Sequence, residues 1–325
     1  MKECLKGVYY MLALYILLGF IAVLAVITLI IARVTYKMAF YHLPDSDIDN
    51  YQIPDVKQYQ DNKEYMTSMI RELDSIPFEP VTITSHDGLK LFGRYYHVND
   101  GAPIFIEFHG YKSMAIRDFC GGDRIVRSLK CNTLLVDQRA HGKSEGNTIS
   151  FGILERLDCL AWINYLNQRF GSDTKIFLIG VSMGGATVLM ASELDLPRNV
   201  IGIMADCPFS SPWLVISKVA RSMGIPSKLA FPFVWLGARI YGKFDLTSSD
   251  AISAVKKANV PIFLVHGDAD HLVPFEMSEE IAKRCASEIT FIPFKDAGHG
   301  LSYILDSEKY TNEATKFIER CLEEN

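Results

Sequence analysis

The hydrophobic residues of this chain form one long N-terminal run and, further along, many short runs separated by polar segments. Residues 8–32 carry no charged side chain, lysines lie just before this run, and Arg33 and Lys37 follow it. A helix of that length spans about 37 Å at 1.5 Å per residue, more than the roughly 30 Å hydrocarbon core of a bilayer. The pattern therefore predicts a transmembrane helix, and we assign residues 1–38 to a membrane anchor.

Two other interpretations of a long apolar run are a buried core helix and a cleaved signal peptide. A core helix normally carries polar interruptions, and this run has none. A signal peptide has a shorter apolar region and a small-x-small cleavage site, which we do not find at residues 31–38. We therefore favour an uncleaved anchor.

From residue 81 onward, short apolar runs alternate with helix-compatible segments, as in α/β domains with a buried, mostly parallel sheet. Residues 39–80 form a connecting segment that contains Pro44-Asp-Ser-Asp-Ile-Asp-Asn50 and one possible helix at 62–73. The predicted strands are 81–85, 90–97, 103–108, 132–136, 175–179, 200–205, 261–265 and 289–294. The predicted helices are 115–129, 151–169, 184–193, 275–286 and 308–322.

A long insertion at residues 206–256 separates two of the predicted strands and is rich in aromatic residues. Its large aromatic side chains include Trp213, Phe231 and Trp235. In open α/β folds such a segment commonly covers the carboxyl edge of the sheet, where ligands bind. We expect a helical lid that favours hydrophobic substrates, although these aromatic residues also suit packing of the lid on the body of the domain.

Composition and charge narrow the function further. The formal net charge is −5, and no basic block interleaved with aromatic residues is present, so nucleic acid is not an expected partner. The histidines are scattered, and no cluster of cysteine, histidine and carboxylate has metal-ligand spacing. We therefore expect neither a metal nor a cofactor.

The sequence Gly180-x-Ser182-x-Gly184 follows an apolar strand and precedes a helix-compatible segment. A turn that leads so tightly from strand to helix strains the serine backbone and leaves little room for side chains two residues away on either side. It also raises the serine hydroxyl above the sheet, where a base can reach it. Ser182 is therefore the candidate nucleophile.

A serine hydroxyl needs a histidine base and an acid that orients the base. Asp270 follows the strand at 261–265 and His299 follows the strand at 289–294. Asp206 is a rival acid at the end of an earlier strand, and Asp268 is a rival within the later loop. The order serine, aspartate, histidine is typical of α/β-hydrolases.

Several segments carry a resemblance to the α/β-hydrolase family, and more narrowly to bacterial serine hydrolases with one N-terminal membrane anchor. The segments are Phe108-His-Gly-Tyr111, Asp137-Gln-Arg-Ala-His-Gly-Lys-Ser144, the serine motif, His266-Gly-x-x-Asp270-x-x-Val-Pro274 and Gly298-His299. The resemblance extends over residues 81–321. It implies that Ser182, Asp270 and His299 form the catalytic triad, in a catalytic domain at residues 81–325.

The resemblance also implies an oxyanion hole made by the backbone N–H groups of Tyr111 and Met183. Neighbouring polar residues have structural interpretations. We expect Asp137 and Arg139 to brace the loop after their strand through a charge-assisted hydrogen bond, and His109 and His266 to orient loops.

These residues predict a membrane-anchored serine hydrolase that cleaves ester, thioester or lipid acyl bonds through an acyl-enzyme. The expected partners are a small-molecule or lipid ester and the membrane. Alternatives are a serine peptidase on the same fold and a catalytically silent binding protein. The basic residues on both sides of the anchor nearly balance, so the positive-inside rule discriminates little. For a first, uncleaved segment we expect an extracytoplasmic catalytic domain.

Overall fold

The N-terminal run forms a single long helix, α1, at Lys2–Ala39. The computed structural model describes residues 2–43, 51 and 53–325. The span Lys6–Ala39 is long and apolar enough to cross a membrane, and its most apolar 18-residue window is not buried at all. Leu18 and Phe20, for example, are more than half exposed. This exposure argues against the core-helix interpretation.

The last turns of α1 differ from the rest because they pack into the body of the protein. Ala32, Tyr36 and Phe40 are buried. The Tyr36 hydroxyl lies 2.7 Å from Thr148 Oγ1, and the Ile149 N–H donates to the Phe40 carbonyl over 2.7 Å. The anchor boundary predicted at residue 38 thus falls within a packed segment.

The connecting segment contains two helices, α2 at Lys57–Asp61 and α3 at Lys63–Asp74. The helix α3 coincides with the helix expected at 62–73 and buries Met69, Ile70 and Leu73. Its apolar face explains why this segment folds against the domain. The predicted Pro44-to-Asn50 run lies outside the described residues.

Within the described part of the chain, eight strands form one sheet, as the sequence predicts. The strands are β1 (Glu79–Thr84), β2 (Lys90–Tyr96), β3 (Ile104–Phe108), β4 (Asn132–Val136), β5 (Ile176–Val181), β6 (Val200–Asp206), β7 (Ile262–Gly267) and β8 (Ile289–Phe294). The order is β1-β2-β4-β3-β5-β6-β7-β8. Strands β1 and β2 form an antiparallel hairpin, β2 pairs antiparallel with β4, and the remaining pairs are parallel.

The helix predicted at 115–129 is interrupted. It forms two short helices, α4 at Ala115–Asp118 and α5 at Gly122–Ser128. Two glycines, which are poor helix formers, stand at the break. A Cβ on Gly121 would lie only 2.2 Å from the Tyr303 ring, so this turn has no room for a side chain.

The remaining helices flank the sheet or form the insertion. They are α6 (Glu155–Phe170), α7 (Met183–Ala191), α8 (Pro212–Ser222), α9 (Ser227–Gly237), α10 (Ala251–Val255), α11 (Phe275–Arg284), α12 (Ser302–Leu305) and α13 (Ser307–Glu324), with a π-helical turn at Ala238–Gly242. The insertion between β6 and β7 is helical, as predicted. It packs against α1, where the Thr35 hydroxyl donates to the Phe233 carbonyl over 3.1 Å.

Alternate residues of the central strands build two separate cores, one on each face of the sheet. On one face, Leu178 and Ile203 pack with Ile163 of α6. On the other face, Phe177 and Met204 belong to a cluster with helices α5 and α13. The carboxyl ends of β5, β6 and β7 meet at one edge, which positions the candidate site.

Candidate active site

Ser182 occupies a strained turn between β5 and α7. Its backbone has φ 54° and ψ −113°, a region that residues with a side chain rarely adopt. A Cβ on Gly180 would lie 2.1 Å from the Gly184 carbonyl, and a Cβ on Gly184 would lie 1.7 Å from the Phe108 carbonyl oxygen. Only glycine fits at these two positions, which is the reason the sequence motif has this form.

The structure brings Ser182, His299 and Asp270 together, although they lie far apart in the chain. His299 Nε2 lies 2.8 Å from Ser182 Oγ, and His299 Nδ1 lies 2.6 Å from Asp270 Oδ2. Because Nδ1 faces a carboxylate, it carries the proton in the neutral ring. Nε2 then presents a lone pair to the Ser182 hydroxyl, the geometry that a general base needs.

Asp270 is held by four hydrogen bonds in a fully buried position. Its Oδ1 accepts from the N–H groups of Leu272 and Val273, each over 2.8 Å. Its Oδ2 accepts from His299 and, over 3.1 Å, from His266 Nε2. Burial alone would raise the pKa of Asp270, but the hydrogen bonds from His266 and His299 outweigh it and hold the pKa well below its usual range.

The contact between His266 and Asp270 was not found from the sequence, where His266 was expected only to orient a loop. Its Nε2 faces two acceptors, Asp270 Oδ2 and the Val273 carbonyl, so it carries the proton. Its Nδ1 then accepts from the Ser278 hydroxyl over 2.6 Å. The four-residue spacing from His266 to Asp270 is the feature of the sequence that could have indicated this contact.

The two rival acids lie in other environments. Asp206, at the end of β6, is buried, and burial first of all raises its pKa to about 6. Its backbone carbonyl accepts from the Ser182 N–H over 2.8 Å. Asp268 is exposed and accepts from the Asp296 N–H over 2.6 Å, so it ties together two loops.

The expected bond between Asp137 and Arg139 is wrong. Arg139 forms a bidentate pair with Asp158 at 2.6 Å and also contacts Asp87. Asp137 instead accepts from the Lys143 N–H over 2.9 Å. The buried Arg139 side chain lies next to the carboxylates of Asp158 on α6 and Asp87 in the β1–β2 turn, and it pairs with these instead of with Asp137.

The loop after β3 lies against the serine. A Cβ on Gly110 would lie 3.5 Å from Ser182 Cβ. The N–H groups on either side of Tyr111 are occupied, because Gly110 donates to Asp118 and Lys112 donates to His141. These bonds fix the Tyr111 peptide. Met183 begins α7, where the first N–H groups have no acceptor within the helix.

Tyr111 also joins this loop to the end of α1. Its hydroxyl donates to the Ala39 carbonyl over 2.9 Å. Its ring stacks on Phe151 at 4.9 Å, and Phe151 in turn contacts Phe40 edge-to-face at 5.9 Å. This contact could not be predicted from the sequence, because it joins residues more than seventy positions apart.

A cavity of about 730 Å³ opens beside Ser182 and His299. Its wall is mostly apolar and includes residues from β5, β6, α5, α12 and α13. None of the described residues 207–256 lines it, so the insertion does not form its wall. The volume is in the range usual for pockets that bind small organic ligands.

Residues of the connecting segment, among them Gln58 and Tyr59, also line this cavity, which the sequence did not predict. The Tyr59 hydroxyl donates to the His299 carbonyl over 2.8 Å, and Gln58 Nε2 donates to the Asp296 carbonyl over 2.8 Å. Burial, and secondarily the Asp118 carboxylate, raise the pKa of Tyr59, so its hydroxyl remains a donor. The helix α2 thus holds the loop that carries His299.

Two groups of side chains in the described part of the chain come close enough together to consider a metal. They are Cys207 with Asp270 and His299, and His86 with Asp87 and Asp158. In the first group, burial and then the Asp206 carboxylate raise the pKa of the Cys207 thiol, which disfavours the thiolate that binds metals. In the second, Asp87 and Asp158 already pair with Arg139.

Comparison with known proteins relates the chain to α/β-hydrolases. A model of the prolyl oligopeptidase family matches residues 152–325. YqkD of Bacillus subtilis is 21% identical over 304 residues, covering 91% of this chain and 96% of YqkD. The α/β-hydrolase domain-containing protein WAV2 of Arabidopsis thaliana is 22% identical over 267 residues, covering 75% and 79%.

Solved esterase structures share the fold. An esterase of Pyrococcus furiosus superposes with a TM-score of 0.63 at 21% identity, over 86% of this chain and 98% of the esterase. Est1E of Butyrivibrio proteoclasticus, solved with ferulic acid, superposes with a TM-score of 0.57 at 20% identity, over 74% and 99%. The predicted α/β-hydrolase fold is confirmed.

Proposed function

Because the chain belongs to the prolyl oligopeptidase family and is a hydrolase of the α/β-hydrolase fold, we propose that it is a serine hydrolase that cleaves ester or thioester bonds. One observation carries this proposal. The hydrogen-bonded series Ser182 Oγ, His299 and Asp270, with distances of 2.8 and 2.6 Å, has the order and polarity of a proton relay.

The reaction proceeds in two halves. His299 Nε2 removes the Ser182 proton as Oγ bonds to the substrate carbonyl carbon, and the Tyr111 and Met183 N–H groups stabilise the oxyanion. The carbon–oxygen or carbon–sulfur bond of the substrate then breaks, and His299 gives its proton to the leaving group. The same ring then deprotonates a water molecule, and the hydroxide attacks the acyl carbon. The bond from that carbon to Ser182 Oγ breaks, the acid leaves, and the ring returns the proton to Oγ. Asp270 stabilises the imidazolium throughout.

The cavity supports an ester with an apolar acyl group over a peptide. Among the described lining residues, the carboxylic acids are Asp118 and Asp206. Asp118 accepts from the Gly110 N–H and pairs with Arg117, so its charge is already compensated. Asp206 is buried at the end of β6. The apolar surface that makes up most of the wall suits an acyl group better than a charged amino terminus.

Membrane anchoring is part of the proposal. The apolar helix α1 is 38 residues long and exposes its apolar side chains up to its last turns. We assign residues 1–38 to the anchor, 39–80 to the connection and 81–325 to the catalytic domain. The catalytic domain includes the insertion at 206–256, whose helices do not line the cavity beside Ser182. The catalytic domain faces the extracytoplasmic side in this proposal, and protease accessibility in intact and lysed cells tests the side.

A serine peptidase is the second candidate, and the prolyl oligopeptidase family match is the observation that favours it. Purified full-length protein should be assayed with p-nitrophenyl esters of different acyl lengths and with aminoacyl-p-nitroanilides. We expect ester hydrolysis that disappears in Ser182→Ala. Hydrolysis of the anilides with higher kcat/KM than the esters would establish the peptidase instead. Absence of both activities from folded protein would favour a silent binding protein.

A further inference from the structure

The cavity beside Ser182 continues inward as a slot between one face of the sheet and the helices α5 and α13. The lining side chains follow the periods of these elements. Ile179 and Met204 point from β5 and β6 to the same face, and Ala314 and Ile318 lie one turn apart on α13. We call this inner part, lined by Ile125, Ile179, Met204, Ala314 and Ile318, the inner slot.

The inner slot extends away from the catalytic edge of the sheet. Tyr310 of α13 lies near Asp206 at the carboxyl end of β6, whereas Leu322 accepts from the Lys175 side chain at the start of β5. Helix α13 therefore runs from the catalytic edge toward the opposite edge. From Tyr310 to Ile318 it advances about 12 Å at 1.5 Å per residue.

The inner slot is apolar, and polar groups that line the cavity lie nearer Ser182. The Asp206 carbonyl accepts from the Ser182 N–H, and Tyr310 is a neighbour of Asp206. Asp118 accepts from the N–H of Gly110, in the loop that lies against Ser182. Beyond them, the side chains that define the inner slot are aliphatic or thioether groups. Those of Ile125, Met204, Ala314 and Ile318 are buried to at least 96%.

We propose that the inner slot binds the acyl chain of the substrate, which makes the enzyme selective for esters of linear, medium-length or longer fatty acids. A straight chain bonded through its carbonyl carbon to Ser182 enters past Val181 and lies along β5 toward Ile318. The alcohol or thiol leaves on the other side, toward Tyr59 and the connecting segment. This inference rests on the proposed hydrolase function, because it takes Ser182 as the point of attack.

In this proposal, substitutions at Ala314 and Ile318 change the preferred acyl-chain length in opposite directions. Ala314→Leu narrows the inner slot, and Ile318→Ala lengthens it. Each buried methylene contributes about fourfold to binding, so excluding two of them lowers kcat/KM about fifteenfold. Short acyl groups end before Ala314 and should be hydrolysed at nearly unchanged rates by both variants.

The experiment compares full-length protein in amphipol, which avoids competition from lipid and detergent. Acetate, butyrate, octanoate and dodecanoate esters of p-nitrophenol are assayed. Ile163→Ala is the matched control, since Ile163 is also a buried helix residue but belongs to the core on the opposite face of the sheet. We expect Ala314→Leu to lower the octanoate-to-acetate ratio of kcat/KM about tenfold or more, and Ile318→Ala to raise the dodecanoate-to-octanoate ratio. Ile163→Ala should change neither.

Unchanged ratios in both folded variants, with acetate still hydrolysed, would overturn the inner slot and leave the hydrolase proposal intact. Calorimetric titration with decanoate tests the opposite case, in which the inner slot binds an acyl chain but the protein is not a hydrolase. Decanoate binding that is weakened by Ala314→Leu but not by Ile163→Ala, in a protein that hydrolyses no ester, would support the inner slot and refute the hydrolase. Absence of decanoate binding from the folded protein would overturn the inner slot.

Discussion

Replacing Asp270 with asparagine tests how the acid acts, because the substitution keeps the shape of the side chain and changes its hydrogen-bonding pattern. In the structure Asp270 accepts four hydrogen bonds, two at each oxygen. Asparagine has one oxygen and one NH2 group. If its oxygen keeps the N–H groups of Leu272 and Val273, its NH2 group faces the ring nitrogens of His266 and His299.

That arrangement forces His299 into the wrong tautomer. Two donors cannot face each other, so the proton of His299 moves from Nδ1 to Nε2. Nε2 then has no lone pair for the Ser182 hydroxyl, and the ring cannot act as a base. The corresponding substitution in serine proteases lowers kcat about 10⁴-fold, or about 5.4 kcal/mol of barrier at 1.36 kcal/mol per factor of ten.

We expect Asp270→Asn to lower kcat by a factor of about 10⁴ and to change KM little, because the Asp270 side chain has no exposed surface. The assay is ester hydrolysis by full-length protein, with circular dichroism to verify folding. Asp206→Asn and Asp268→Asn are matched controls that should retain activity within about tenfold. Near-normal kcat in Asp270→Asn, together with a thousandfold loss in Asp206→Asn, would refute the assignment.

Three further predictions follow from single contacts. Gly184→Ala should destabilise the fold by more than about 3 kcal/mol, because its Cβ would lie 1.7 Å from the Phe108 carbonyl oxygen. Gly185→Ala, whose Cβ would lie no closer than 3.1 Å to its nearest neighbour, should lower the thermal unfolding temperature less. The pKa of Asp206 rises from 3.8 to about 6 on folding, so the wild type loses stability as pH rises through this interval. Asp206→Asn lacks this titration, and its free energy of unfolding relative to the wild type should be up to about 3 kcal/mol more favourable at pH 8 than at pH 4. The same difference in unfolding free energy between variant and wild type at both pH values, measured with denaturant, would contradict this. Tyr111→Phe removes the hydrogen bond to Ala39 and should lower kcat severalfold with little change in KM. A change in KM alone would show that this bond does not position the loop after β3, which carries the Tyr111 N–H.

The strands and the serine turn could be predicted from sequence because both depend on local properties. Eight apolar runs predict eight strands, and the glycines at positions 180 and 184 follow from steric limits around Ser182. Asp270 and His299 were assigned through chain order and family resemblance. Their meeting at Ser182 depends on the order of β5, β7 and β8 in the sheet.

What the sequence did not predict depends on contacts between distant segments. The sequence predicts only that His266 orients a loop, but the fold places its Nε2 beside Asp270. The sequence predicts a connecting segment at residues 39–80, yet Tyr59 in this segment donates a hydrogen bond to the loop that carries His299. The sequence predicts that the aromatic insertion covers the substrate site, whereas the cavity is lined by residues of α5, α12 and α13. Apart from the four-residue spacing between His266 and Asp270, no periodic or compositional feature of the sequence indicates these contacts.

The most direct test of the central claim is covalent labelling of the serine. Full-length protein is treated with a fluorophosphonate probe, and the labelled peptide is identified by mass spectrometry. We predict one adduct at Ser182, formed rapidly by the wild type, about 10³-fold or more slowly by His299→Ala and not at all by Ser182→Ala. Folded wild-type protein that remains unlabelled, or an adduct on a different serine that persists in Ser182→Ala, would contradict the account.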